Sequence, residues 1–245
     1  FRLVGSEMCI RDSDYIFPTP IWWVDLDIDL EELGRICVDT ACNMEGKARS
    51  NRGLLNYQSP DFMGEEIIND PELDGDELKK LLIIIKQKAC EAFDSFGSMT
   101  TTLAYANVWI NINGKGGYNE VHTHPGAVMS GAFYVSVPPG PVGKLTFHRN
   151  AIEGYVINSL GTSDDMSTAE VPHTHSTWAY PPVQNRLMLF PAWVGHGVRE
   201  NETDEERISI SFNFIPERTK KNMMDIIKNS EMSVEVTPYN RKDAN

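Results

Sequence analysis

From Leu103 to Ile215 the chain is written as short runs rich in alternating and β-branched residues, cut repeatedly by turn residues. The runs fall at 103–113, 118–124, 128–137, 144–149, 187–191, 194–200 and 206–215. Gly114-Lys-Gly-Gly, Pro138-Pro-Gly-Pro and Asn201-Glu-Thr-Asp separate them, supplying turn conformations and breaking the ladders. Several short strands at this spacing predict a sandwich or jelly roll rather than a parallel sheet with crossover helices. The fold class expected is mainly β with flanking helices.

The flanking segments read differently. Tyr15 to Leu26 is apolar and aromatic, and Pro18 and Pro20 prevent a helix, so an extended segment or edge strand on the core is predicted. From Asp27, residues Leu30, Leu33, Cys37, Ala41 and Met44 recur at helical steps. A polar, glycine-containing loop is expected at 49–62. A second helix follows, capped by Asp74 with Glu77 at its third position and Leu78, Leu81, Leu82, Ile85, Ala89, Phe93 and Phe96 in phase. Residues 151–183 form a long insertion of the kind that covers binding sites. A short helix to Asn229 and a loose tail over 231–245 complete the expectation. The first thirteen residues look foreign: Glu7 to Ser13 resembles a translated sequencing adapter, and no signal-peptide apolar core is present. Residues 14–230 are therefore read as a single domain.

Composition narrows the function classes. With 22 basic and 35 acidic residues the formal net charge is −13, which disfavours nucleic acid phosphates and anionic membranes. No apolar run approaches the ~20 residues of a membrane span. Four cysteines without a CxxC pair read as free thiols of a cytoplasmic protein.

All six histidines lie between positions 122 and 196. His122 and His124 are one residue apart on a predicted strand, where side chains at i and i+2 leave the same face. Two imidazoles on one strand face are half of a transition-metal site, and His196, in Phe190-Pro-Ala-Trp-Val-Gly-His, is the candidate third ligand. His173-Thr-His175 repeats the spacing inside the insertion, where no strand would hold its geometry, and His148 is a minor alternative. If Asn201 to Asp204 closes a four-residue hairpin, Val198 pairs with Arg207 and His196 with Ser209, placing all four on one face. An inward arginine beside a metal ligand calls for an anion, and its planar fork suits a carboxylate. On the opening strand Asn107, Trp109, Asn111 and Asn113 share one face, and Val108, Ile110 and Ile112 the other.

These residues carry a resemblance. Phe17-Pro-Thr-Pro, Arg49-Ser-Asn-Arg-Gly, Trp109-Ile-Asn-Ile-Asn, Gly117-Tyr-Asn-Glu-Val-His-Thr-His-Pro, Ser130-Gly-Ala-Phe-Tyr-Val, Gly143-Lys-Leu-Thr-Phe, the His196 block and Glu206-Arg-Ile-Ser-Ile-Ser-Phe-Asn stand in order. Together they resemble the 2-oxoglutarate and iron(II)-dependent oxygenases, in a bacterial and phage-associated branch. The resemblance implies a double-stranded β-helix, a cupin-like jelly roll with the metal inside, using Fe(II), 2-oxoglutarate and O2. It implies a dioxygenase that couples decarboxylation of 2-oxoglutarate to hydroxylation of a small-molecule or peptide substrate. His122, His124 and His196 are the implied metal ligands. Arg207, Ser209, Tyr134 and Asn111 are the implied 2-oxoglutarate contacts. One departure stands out: the superfamily places a carboxylate where this chain has His124, and Glu120, two residues before His122, is the alternative ligand. A homodimer stays open, as do two other functions: a three-histidine cupin-type dioxygenase or isomerase, and a non-catalytic metal-binding jelly roll.

Overall fold

The computed structural model describes residues 18–44, 47–48, 56–62, 64–71, 76–95, 97, 102–150, 175–219 and 221–222. The adapter-like segment, Asp74, His173, most of the insertion and the tail lie outside the described residues. In chain order the elements are β1 (Trp22–Asp25), α1 (Leu30–Asn43), β2 (Lys47–Ala48), β3 (Asn56–Gln58), α2 (Gly64–Asn69), α3 (Glu77–Ser95) and β4 (Leu103–Asn113). There follow β5 (Asn119–His122), β6 (Met129–Ser136), β7 (Leu145–His148), β8 (Thr177–Tyr180), β9 (Arg186–Pro191), β10 (Gly195–Val198) and β11 (Arg207–Pro216). The strands form two antiparallel sheets, one ordered β1-β9-β6-β11-β4-β3-β2 and the other β5-β10-β7-β8. This is a double-stranded β-helix with helices added at its N-terminal side.

Alternation along β4 and β11 sorts the core into two compartments. Val108, Ile110, Ile112, Ile208, Ile210 and Phe212 face outward and form one apolar cluster with Leu33 and Cys37 of α1 and Leu81, Leu82, Ile85 and Ala89 of α3. Each helix is therefore held by burying one stripe against the larger sheet. Their caps are aspartates: Asp29 Oδ1 accepts from the Glu31 and Glu32 amides, and Asp76 Oδ1 from those of Leu78 and Lys79. α3 thus starts from Asp76 and not from Asp74. The opposite faces of the same strands look between the sheets, where Tyr134, Leu145, Phe147, Met188, Phe190 and Val194 make a second, smaller cluster.

Three sequence expectations change. The predicted 49–62 loop contains β3, which pairs with β4. The predicted insertion contains β8, which pairs with β7. More consequential is the chain between β10 and β11. It is not a hairpin: β10 pairs with β5 and β7, and β11 with β4 and β6, so residues 199–206 carry the chain from one sheet to the other. Asn201, fully buried, anchors this crossing. Its Nδ2 donates to the carbonyls of Asn113 (2.9 Å) and Glu205 (2.8 Å), and its Oδ1 accepts from Thr203 N and Oγ1.

Candidate metal centre

His196 and His122 sit directly opposite each other on the paired strands β10 and β5. Their rings lie 4.5 Å apart, and His124, just past the end of β5, closes the triangle at 4.9 Å from His122 and 5.0 Å from His196. One ring nitrogen from each lies within 4.8 Å of the others, a spacing that a single ion can bridge. Phe190, 4.5 Å from the His196 ring, and Trp109, 5.8 Å from that of His124, wall the cluster with apolar surface.

The orientation of two rings follows from their backbone partners. His122 Nδ1 lies 2.7 Å from the Glu120 carbonyl, and His196 Nδ1 lies 2.9 Å from the Val194 carbonyl. A carbonyl can only accept, so in both rings Nδ1 carries a proton, and in the neutral imidazole Nε2 is then the nitrogen left with its lone pair. That donor set fits a transition ion. Burial holds the His196 pKa down to about 3, the Val194 carbonyl opposing and the neighbouring imidazoles assisting, so the ring is neutral at neutral pH. Glu120 offers its backbone carbonyl to His122 while its own side chain is exposed, and it stands outside the cluster. His148 is likewise outside; its Nε2 meets Thr146 Oγ1 at 3.1 Å and its Nδ1 Thr177 Oγ1 at 3.3 Å. His175 approaches Trp178 instead.

The interior face of the larger sheet carries the remaining polar residues. Arg207 pairs with Asn113, and Ser209 with both Asn111 and Tyr134, so these residues share the face that the hairpin argument assigned to Arg207 and Ser209 by a different register. Arg207 is 2% exposed. Its guanidinium donates to the carbonyls of Val142 (3.4 Å) and Gly143 (3.1 Å) and to Asn113 Oδ1, all neutral acceptors, and among the described residues its Nε has no partner. Among the described residues no carboxylate pairs with it. A buried cation held only by dipoles is a costly arrangement that an incoming carboxylate would relieve. Burial lowers its pKa, with Tyr134 opposing, and the same burial raises that of Tyr134. Asn111 donates to Ser211 Oγ at 3.0 Å. Asn113, placed by the sequence on the polar strand face, accepts from Arg207, a contact the sequence reading did not assign; Asn56 behind it, which that reading missed, accepts from Asn113 and donates to the Tyr118 carbonyl at 3.2 Å. Gly143 supplies its carbonyl from a left-handed conformation, φ +83°, that a side chain would strain.

The double-stranded β-helix thus brings three imidazoles together between its sheets and sets on the same inner wall a buried arginine that no carboxylate among the described residues pairs with. Residues 107–213 match the model of the family described as "Putative 2OG-Fe(II) oxygenase". Among solved structures, a Pseudomonas putida prolyl-4-hydroxylase is similar at 15% identity and TM-score 0.54, over 80% of this chain and 92% of that one. SnoN, an α-ketoglutarate-dependent epimerase of nogalamycin biosynthesis, is similar at 16% identity and TM-score 0.54, over 80% and 76%. HygX from Streptomyces hygroscopicus, solved with nickel and 2-oxoglutarate bound, is similar at 10% identity and TM-score 0.50, over 81% and 84%. At these identities the likeness speaks for the fold. No curated protein matches the chain.

Proposed function

We propose that His122, His124 and His196 hold iron(II), and that Arg207, with Ser209, Tyr134 and Asn111 on the same wall, receives 2-oxoglutarate. The protein then acts as a dioxygenase on a small-molecule or peptide substrate. The observation that carries this reading is Arg207: a guanidinium 2% exposed, its Nε unpartnered, held by neutral oxygens. A carboxylate at the guanidinium would replace dipolar partners with a charge-assisted pair. Bound there, iron(II), 2-oxoglutarate and O2 supply the oxidising chemistry, in which loss of CO2 yields succinate and the substrate gains oxygen.

The chain's own part is to position and to exclude water. Asn113 and the Gly143 carbonyl hold the guanidinium plane before any ligand arrives, so its orientation costs little on binding. Tyr134 packs in one buried apolar cluster with Phe147, Phe190, Met188 and Leu145, and apolar surroundings strengthen polar contacts made beside them. The backbone partners of His122 and His196 hold Nδ1 as the donor, which leaves Nε2 of the neutral ring to face a metal. With three neutral imidazoles the site adds no negative charge of its own, so a dianionic cosubstrate meets no repulsion from the ligand set. The negative net charge of the chain disfavours nucleic acid as substrate. We read residues 14–230 as one catalytic unit; among the described residues no helix is long and apolar enough to cross a membrane.

The test is succinate production. Iron-loaded protein incubated with 2-oxoglutarate and O2 is expected to release succinate slowly even without a second substrate, and Arg207→Ala to abolish this. Failure of the wild type, together with unchanged 2-oxoglutarate binding in Arg207→Ala, would overturn the reading. Thermal shift separates the three-histidine cupin alternative: the oxygenase is stabilised by 2-oxoglutarate only when metal is present, whereas a cupin site gains nothing from it.

A further inference from the structure

The third imidazole is held differently from the other two. His122 and His196 each face a backbone carbonyl, but His124 Nδ1 faces the side-chain amide of Asn213, whose Nδ2 lies 3.4 Å away. Asn213 is 6% exposed and stands at the β11 bulge that separates Asn213 from Phe214. Its orientation is set by a directed chain of bonds. Ser130 Oγ donates to Asn213 Oδ1 at 2.6 Å, Asn213 Nδ2 donates to Asn107 Oδ1 at 2.9 Å, and Asn107 Nδ2 donates to Asp61 Oδ2 at 3.2 Å. An ionised carboxylate only accepts, so the direction propagates inward: Asn107 must turn its NH2 to Asp61 and its oxygen to Asn213. Asn213 must then turn its own NH2 to Asn107, and the same NH2 faces His124 Nδ1.

We infer that Asn213 is a positioning residue that sets the tautomer of His124, and that its amide has to turn over when the centre takes up a metal. Facing an NH2, Nδ1 of the metal-free ring is an acceptor, and the proton sits on Nε2. The other two rings carry theirs on Nδ1. For His124 to offer Nε2 to an ion as a neutral imidazole, its proton must move to Nδ1, where only an oxygen can receive it. Rotating the Asn213 amide brings Oδ1 to that nitrogen and turns Nδ2 to Ser130 Oγ, which can accept as well as donate. The cost falls on the bond to Asn107, where two oxygens would meet unless Asn107 turns too and gives up Asp61. Asp61 is exposed, so water can replace that last bond. The amide chain thus holds the third ligand in reserve, and metal affinity depends on side chains that do not touch the metal.

This inference rests on the reading of the three histidines as metal ligands, and the experiment keeps the two apart. Zinc(II) serves as a diamagnetic probe, with histidine tautomers read by long-range 15N–1H NMR and affinity by competition with a chelator. In metal-free protein His124 is expected as the Nε2–H form against Nδ1–H for His122 and His196; in zinc-loaded protein all three are Nδ1–H. Asn213→Asp places an acceptor at Nδ1 without any turn and is expected to tighten zinc about tenfold. Asn107→Asp adds the same charge one side chain farther away. Its carboxylate would lock the Asn213 NH2 in the metal-free orientation, so zinc is expected to bind no more tightly than to wild type. Charge alone predicts that both substitutions tighten zinc, and that result would overturn the inference, as would a metal-free His124 already protonated on Nδ1. If wild type does not bind zinc at all, the metal-centre reading itself fails.

Discussion

Burial of His196 makes a quantitative prediction about acid stability. In the folded chain its pKa is held at about 3 by burial, against about 6.5 in an unfolded chain. Below pH 6.5 the unfolded state therefore binds a proton that the folded state refuses, and stability falls as pH falls. At pH 5 the unfolded ring is protonated about thirtyfold over neutral while the folded ring stays neutral. The loss is about 2 kcal/mol relative to pH 7.5, at about 1.4 kcal/mol per pH unit. That figure depends on the unfolded value, because at pH 5 the folded group lies well above its own pKa. The assay is urea denaturation of chelator-treated protein, wild type and His196→Asn, at pH 7.5 and pH 5. The substitution removes the ring packed 4.5 Å from Phe190 and lowers stability at both pH values. What matters is the difference: wild type should lose about 2 kcal/mol more than the variant between the two pH values. Equal losses would mean that His196 is not buried as a neutral ring, and the account of the centre would lose its electrostatic basis.

Other perturbations follow from the same geometry. Arg207→Gln should abolish stabilisation by 2-oxoglutarate; in metal-loaded wild type a hundredfold excess over Kd adds about 2.7 kcal/mol, visible as a rise of several degrees in Tm, and an equal rise in the variant would contradict the assignment. Asn201→Ala removes a fully buried amide and strands the Asn113 carbonyl, at a cost of about 2 kcal/mol in urea denaturation, whereas an exposed loop residue would cost almost nothing. Gly131→Ala would drive a methyl into the Met188 carbonyl and the Phe212 ring where β6 crosses between β9 and β11, and should cost about 2 kcal/mol or more by the same assay.

Much of this arrangement is legible in the sequence because strand alternation is local. Asn107, Trp109, Asn111 and Asn113 against Val108, Ile110 and Ile112 is a period-two pattern, and the register with β11 shows the first set facing the inner wall and the second the helices. Convergence of His122, His124 and His196 could be anticipated from an HxH on one strand and a later Gly-His on another. What the sequence could not show is which sheet a strand joins. Asn201-Glu-Thr-Asp has the composition of a hairpin loop, yet the buried Asn201 side chain ties it to Asn113 and the chain changes sheets there. Turn residues report that a strand ends and carry no information about the next partner. Arg207 and Ser209 nonetheless face inward, because their register with Asn113 and Asn111 puts them on that side. The supports around the site were invisible for a related reason. Asn56, Asn113 and Asn213 are ordinary asparagines in the sequence, and only pairing across long separations gives each its partner.

In the proposed function, three imidazoles and one guanidinium serve a single bound pair of ligands. Crystals grown anaerobically with manganese(II) and 2-oxoglutarate, measured for anomalous scattering, test it most directly. One strong peak is expected, bonded to ring nitrogens of His122, His124 and His196, with 2-oxoglutarate bridging from that ion to the Arg207 guanidinium. A peak elsewhere, or 2-oxoglutarate density that leaves Arg207 to its neutral partners, would contradict it.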